Sequence, residues 1–240
     1  MSEEGFSGVM GALEVGGTDR PALPVLSARS DRREQDTRTV QRLRFGIGAI
    51  GVVLPLALPF GNWIFVQFGH QTEIMPASMS SSYYTGTRNV FVGGLCALGI
   101  FLIGYRFNKR DDLWSTIAGC FAVGVALCPT APQNPTAYQS VVGYFHLVFA
   151  GILLSGLAMF CISSFRDPAD PGRRTANHAY LTAGIAIFAA LAFALAAGLS
   201  HWGDHWTLTP LYACEAVSVW AFGAAWIGAA LELGDPGRAY

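Results

Sequence analysis

Residues 141–164 read VVGYFHLVFAGILLSGLAMFCISS, a run without any Asp, Glu, Lys or Arg. A helix needs about 20 consecutive apolar residues to cross the hydrocarbon core of a bilayer. The run therefore predicts a membrane-spanning helix. Five further apolar stretches flank it, at about 45–60, 89–105, 113–128, 178–199 and 210–233. Thr209 followed by Pro210 marks the start of the last one, because a threonine cap and a first-turn proline both suit a helix N-terminus.

These six stretches predict an all-α fold, a polytopic membrane protein built as a six-helix transmembrane bundle. Composition agrees: 52% of the 240 residues are hydrophobic and only 13% are charged, whereas a soluble domain carries about 25% charged residues. The formal net charge is −1. No nucleic-acid partner is expected, because the chain has no excess of basic residues.

The basic residues orient the predicted bundle. Seven precede the first stretch, three lie between the second and third, three lie between the fourth and fifth, and one follows the sixth. Only Arg88 falls on the other side. Because Lys and Arg accumulate on the cytoplasmic side, both termini are expected in the cytoplasm. Residues 1–43 are then a largely disordered basic tail, 44–233 the membrane domain and 234–240 a short tail.

The first stretch contains two prolines in its outer half, Pro55 and Pro59. Each removes a backbone donor, so we expect a kink or break there and a turn at Gly61 and Asn62. Residues 61–87 would form the longest outer segment and lie over the helix ends as a cap.

Two ionisable side chains fall inside predicted spans near the outer face. Glu215 lies about 8 Å below the start of the sixth span at 1.5 Å per residue, and His146 lies at similar depth in the fourth. Such groups usually face the bundle interior. They could hydrogen-bond to each other or share a ligand. Alternatively, Glu215 is neutral and bonded to a neighbouring helix, and His146 bonds to a backbone carbonyl.

Arg88 directly follows a hydroxyl-rich run that includes Ser81, Tyr83 and Tyr84. A guanidinium with nearby hydroxyls suits a phosphate or carboxylate, such as a lipid headgroup. The alternative is an ion pair with Glu73, Asp204 or Glu215 that holds the cap closed.

The sequence HWGDH places His201, Asp204 and His205 together. On a helix the two histidines would lie one turn apart, as zinc ligands do, with Asp204 as third ligand or as a partner of a histidine. The alternative is an interfacial loop, where His and Trp side chains are favoured. No cofactor is certain, and zinc is the candidate.

The segment SSYYTGTRNVFVGGLCALG, Ser81 to Gly99, resembles a stretch of a family of uncharacterised bacterial six-span membrane proteins. The resemblance continues through Phe101–Arg110 and Ala126–Thr130. It implies a multi-pass protein of the bacterial inner membrane. A fainter similarity is to ceramidase-like membrane hydrolases, which hold zinc inside a seven-helix core.

Three functions follow as hypotheses. The first is an inner-membrane protein whose outward-facing polar pocket, lined by Ser81, Tyr83, Tyr84, Arg88, His146 and Glu215, binds a lipid headgroup or a small anionic ligand. The second is a zinc-dependent amidase or esterase acting on lipids at the membrane surface. The third is a proton-coupled transporter with Glu215 and His146 as carriers. Membrane lipids are the expected partners, and a homo-oligomer is left open.

Overall fold

The computed structural model of the chain describes residues 24–106, 109–132 and 134–234. The chain divides into two compact units, Met1–Asp36 and Thr37–Tyr240. The described part of the first unit is the beginning of the first helix, and the features below belong to the second unit. Much of the predicted N-terminal tail, residues 1–23, and residues 235–240 lie outside the described residues.

The described residues are all-α and contain no strand, which confirms the predicted fold class. The α-helices in these ranges are α1 Pro24–Gln67, α2 Arg88–Gly104, α3 Lys109–Leu127, α4 Ala137–Met159, α5 Arg174–Ser200 and α6 Pro210–Leu233. A π-helical turn, Phe160–Ser164, extends α4, and a 3-10 helix, Ser80–Tyr84, precedes α2. As predicted, Thr209 caps α6, because its side chain accepts a hydrogen bond from the Tyr212 amide.

Within the described ranges, four helical segments are long and apolar enough to cross a membrane: Gln35–Gln67, Ala137–Ser164, Pro171–Ser200 and Pro210–Leu233. The apolar helix α2 is shorter, with 17 residues. The 19-residue helix α3 begins with four charged residues, at positions 109–112. The chain therefore has the helices of a multi-pass membrane protein.

Helix α1 continues through both prolines to Gln67, which corrects the expected break and the expected turn at Gly61 and Asn62. The residues between α1 and α2 are therefore 68–87. This segment is called the cap below, and the end of the bundle where it lies is called the cap end.

The continuity of α1 has a physical cause in α6. A helical proline leaves the carbonyl four residues before it without a backbone donor, and for Pro59 that carbonyl belongs to Pro55. The Tyr212 hydroxyl donates to the Pro55 carbonyl at 2.7 Å. The Trp220 indole donates to the nearby Val52 carbonyl at 3.0 Å. Side chains of α6 thus supply donors beside the prolines of α1.

The helices from α2 to α6 each pack against the next in chain order, and α4 also touches α6. Helix α1 meets α2 where Leu54 lies against Gly94, and it meets α6 where Gly48 and Gly51 lie against Gly223. Small residues let membrane helices approach closely. In this packing, residues of α1, α2, α3, α4 and α6 surround a central space.

Candidate functional site

A narrow cavity lies between α1, α2, α3, α4 and α6 and reaches the cap. About 600 Å³ in and around it is free of protein atoms, but only about 60 Å³ is wide enough for the centre of a water molecule. The cavity is therefore a slot. It is lined by Ile50, Gly51, Leu54, Met79, Ser80, Phe91, Leu95, Leu98, Val125, Ala150, Leu153, Leu154, Leu157, Glu215 and Val219.

The lining of the cavity is almost entirely apolar. Among the described lining residues, only Ser80 and Glu215 have hydroxyl or carboxyl side chains. Ser80 belongs to the cap and Glu215 to the first two turns of α6, so both polar groups lie at the cap end. The cavity thus joins an apolar wall to one small polar end, whereas the sequence predicts a polar pocket.

Glu215 is bonded to the backbone of the cap. Its Oε2 atom accepts a hydrogen bond from the Met79 amide, and the amide and hydroxyl of Ser80 interact with the same carboxyl. Thr209, one residue before α6, donates its hydroxyl to the Ala77 carbonyl at 2.6 Å. The start of α6 therefore holds residues 77–80 of the cap over the cavity.

The rest of the cap is tied to α1 through Asn62, which is fully buried. The Asn62 amide donates to the Ile74 carbonyl at 3.1 Å, and its Oδ1 atom accepts from the Thr87 hydroxyl at 3.0 Å. The Gln71 amide donates to the carbonyls of Asn62 and Glu73, and its Oε1 atom accepts from the Gly86 amide. These bonds connect both ends of the cap to one turn of α1.

Ser81 is occupied within the cap. Its hydroxyl accepts from the Ser78 amide at 2.9 Å and donates to the Ser78 carbonyl at 2.8 Å. In return, the Ser78 hydroxyl accepts from the Ser81 amide. This reciprocal pair closes a tight turn, so the Ser81 hydroxyl serves the shape of the cap.

Arg88, Tyr83 and Tyr84 form a separate surface cluster. The exposed Arg88 guanidinium lies 4.0 Å from the centroid of the Tyr83 ring and donates to the Tyr83 hydroxyl. Tyr84 donates to the Thr130 carbonyl at 2.7 Å. Partial burial and the neighbouring Tyr83 phenol raise the pKa of the Tyr84 phenol, so this group stays a donor. Among the described residues, no ion pair joins Arg88 to Glu73, Asp204 or Glu215.

His146 is buried but does not meet Glu215. Its Nδ1 atom is hydrogen-bonded to the Cys128 carbonyl at the end of α3, and it also interacts with the backbone of Val125. It is not among the cavity-lining residues. The geometry matches the alternative in which His146 bonds to backbone carbonyls and joins α4 to α3.

The histidines near Trp202 lie in a turn and not on a helix, which corrects the basis of the zinc expectation. His201 follows α5 with a left-handed backbone (φ 52°). Its ring nitrogen lies 3.0 Å from Asp204 Oδ2, and both side chains are exposed. The His205 ring contacts Trp206 instead. Over the described ranges, no three His, Cys, Asp or Glu side chains come together as metal ligands.

A second buried polar cluster, which no sequence pattern predicts, lies at the opposite end of the bundle. Arg44 is 7% exposed. Its Nε and one terminal nitrogen donate to the Tyr105 hydroxyl at 3.0 and 2.7 Å, and the other donates to the Ala229 carbonyl. Its guanidinium also lies 5.4 Å from the Phe165 ring centroid. Arg44 had been counted with the basic tail, since it directly precedes the first apolar stretch.

Nearby groups complete this second cluster. Trp226 packs against Tyr105, Phe160 and Phe165 with ring centroids 5.0–5.4 Å apart. Arg173 forms an ion pair with Glu232 and donates to the Phe165 carbonyl. The second cluster therefore joins α1, α6 and the α4–α5 connection.

Comparison with protein-family models, curated proteins and solved structures gives no match to this chain. The chemistry of the site therefore rests on its own geometry. That geometry offers an apolar slot with a carboxyl and a hydroxyl at its cap end.

Proposed function

We propose that the protein is a six-span integral protein of the bacterial inner membrane that binds one lipid-like amphiphile. The alkyl chain of the amphiphile occupies the central cavity, and its polar end lies beneath the cap, near Glu215 and Ser80. The termini lie in the cytoplasm and the cap faces outward. The protein acts by binding, without a covalent step.

The observation that carries this proposal is the cavity itself. Its walls come from five helices, and burial of apolar surface contributes about 25 cal/mol per Å². Ligand sites combine such apolar walls with a few polar groups that fix orientation. The polar groups lie together at one end, and the slot is narrow. Both features suit an unbranched chain with a polar head.

The proposal of six membrane crossings depends on whether α2 and α3 each cross the membrane. At 1.5 Å per residue, the 17 residues of α2 extend over about 26 Å, close to the ~30 Å hydrocarbon thickness. Its partner α3 crosses it through Gly99 and Gly119. Separate crossings by both helices would also put Arg106 and the basic residues 109–110 on the same side as the N-terminal tail, in keeping with the positive-inside rule.

Arg88 has a supporting role at the outer surface. Its guanidinium is exposed and stacked on Tyr83, without an acidic partner among the described residues. A bilayer phosphate beside the cap would accept two parallel hydrogen bonds from it. Arg88 then anchors the start of α2 at the headgroup layer, in agreement with the expected lipid-headgroup contact.

The two alternative functions need arrangements that the described residues do not form. A zinc-dependent hydrolase needs three ligands around the metal, and only His201 and Asp204 come together in the predicted cluster. A proton-coupled transporter using Glu215 and His146 needs the two to communicate, but they bond to the cap and to α3, respectively. Amphiphile binding needs only the cavity that is present.

A cavity-filling variant tests the proposal. Leu98 lines the cavity, whereas Ile100 on the same helix is 64% exposed. We expect native mass spectrometry of wild type, purified in mild detergent, to detect one bound lipid-like molecule per chain. Leu98→Trp should lose it, and Ile100→Trp should retain it. The proposal is wrong if wild type carries no such molecule and binds no added dodecanol, or if Leu98→Trp binds as wild type does.

A further inference from the structure

The charge at the polar end of the cavity is unbalanced. In the described part of the chain, no Lys, Arg or His forms an ion pair with Glu215, and its closest partners are the cap groups of Met79 and Ser80. The ionisable groups that the sequence placed near it are engaged elsewhere. Arg88 stacks on Tyr83, and His146 bonds to Cys128.

The groups that do contact Glu215 favour its ionised form. The Met79 amide is a donor, and the Ser80 amide and hydroxyl add to it. Hydrogen bonds from such donors stabilise a carboxylate, whereas burial beside an apolar cavity opposes its charge, so a cation beside Glu215 would favour the ionised form. The cap thus supplies donors to the carboxyl of Glu215, and the described cavity walls supply no counter-charge.

An isolated ion facing an apolar cavity is costly, and a cation placed beside it removes most of that cost. Since the described residues supply no such cation there, an occupant can. We infer that the amphiphile bound in the cavity carries a primary ammonium group at the end of its chain. The ammonium pairs with the Glu215 carboxylate and donates to the Ser80 hydroxyl. This inference rests on the proposed function and adds the chemical class of the ligand.

The shape of the cavity agrees with this class. A primary ammonium is compact and presents three donors. It suits the cap end of the cavity, where the carboxyl of Glu215 and the hydroxyl of Ser80 are the acceptor side chains among the described lining residues. The apolar wall formed by residues such as Leu95, Leu98 and Leu153 receives the chain.

Two probes with the same alkyl chain separate the contribution of the polar head to binding from that of the alkyl chain. Dodecylamine and dodecanol differ only at the polar end, so their ratio of dissociation constants isolates the contribution of the ammonium. Native mass spectrometry titrations in mild detergent would measure both constants on full-length protein. We expect wild type to bind dodecylamine at least about 10-fold more tightly than dodecanol, which corresponds to about 1.4 kcal/mol.

Variants locate the source of that preference. Glu215→Gln keeps an acceptor oxygen for the Met79 amide but has no charge, so the ratio should fall to about one while dodecanol binding is kept. Glu73→Gln removes an exposed carboxyl of the same cap and should leave the ratio unchanged. Dodecanol binding without an amine preference in wild type, or a preference that survives in Glu215→Gln, would overturn the inference and leave the proposed function standing. Failure of both probes to bind wild type would overturn both.

Discussion

Gly99 of α2 and Gly119 of α3 lie against each other's backbone. A Cβ atom on Gly99 would lie 2.8 Å from the Gly119 carbonyl oxygen, and one on Gly119 would lie 2.6 Å from the Gly99 carbonyl oxygen. Real Cβ atoms do not approach backbone oxygens so closely. The two helices can cross at this distance only because both positions lack a side chain.

Gly99→Ala should therefore destabilise the bundle. The added methyl group forces α2 and α3 apart, and overpacking of this kind costs about 1–3 kcal/mol. Gly93→Ala, on the same helix, is the matched control, because a Cβ atom at Gly93 would have no neighbouring atom within 4 Å. Thermal unfolding in detergent should show a lower midpoint for Gly99→Ala and an unchanged or higher one for Gly93→Ala. Equal midpoints for the two variants would contradict the crossing.

Tyr212→Phe tests how α6 keeps α1 helical. Loss of the bond to the Pro55 carbonyl should cost about 1 kcal/mol. In a Pro59→Ala background, the new amide of residue 59 can donate to the same carbonyl. The Tyr212→Phe cost should then fall to near zero, and a double-mutant cycle on unfolding free energies measures the difference. An equal cost in both backgrounds would show that the hydroxyl acts by another route.

Arg44→Lys should weaken the second buried cluster. Lysine cannot donate to both Tyr105 and the Ala229 carbonyl in the same fork geometry, nor stack on Phe165 in the same way. Hydrogen bonds to charged groups contribute about 1.5–3 kcal/mol, so a loss of this order is expected in unfolding free energy. Arg42→Lys, at an exposed position two residues earlier, should change stability by less than about 0.5 kcal/mol. A similar result for both variants would place Arg44 at the surface.

Metal analysis should find no stoichiometric zinc. His201 and Asp204 pair in an exposed turn, and the His205 ring lies on Trp206, so a third ligand is missing from the described cluster. Inductively coupled plasma mass spectrometry of protein purified without chelator should give the same substoichiometric metal content for wild type and His205→Ala. About one zinc per chain in wild type, lost in His205→Ala, would restore the hydrolase hypothesis.

Cysteine labelling tests the six spans and their orientation. In a variant without the five native cysteines, single cysteines would replace exposed residues of successive connections. A membrane-impermeant maleimide on intact cells should label Glu73→Cys and Asn134→Cys. It should label Arg106→Cys and Ala169→Cys only after permeabilisation. Labelling of Arg106→Cys on intact cells would mean that α2 and α3 do not cross separately.

Local sequence patterns were sufficient for much of the helical framework. The bounds of α2 and α6 agree with the predicted stretches within one residue, because apolar runs and the Thr209–Pro210 start signal are local. The predicted break at the prolines of α1 was wrong because the contact that keeps the helix continuous is not local. The donor for the Pro55 carbonyl comes from Tyr212, 157 residues away in the chain, and no local pattern contains that contact.

In the candidate site, too, local patterns predict some features, and long-range contacts determine the others. Depth along α6 singled out Glu215, which lines the cavity. It could not show that the partner of Glu215 is a backbone amide 136 residues earlier, in the cap, and not His146. Burial of Arg44 is not predicted from its position before the first apolar stretch, because that burial depends on where Tyr105 and Ala229 pack. Charge and hydropathy therefore predict how far along a spanning helix a side chain lies, whereas the identity of its hydrogen-bond partners depends on tertiary packing.

The closure of the cavity by Thr209 and Glu215 has a consequence for biosynthesis. A chain is synthesised from its N-terminus, so residues 77–80 emerge well before the two α6 groups that hold them. Until the last helix inserts, the nascent bundle has an unsealed groove facing the bilayer. An occupant can enter by lateral diffusion at that stage, and the arrival of α6 then encloses it.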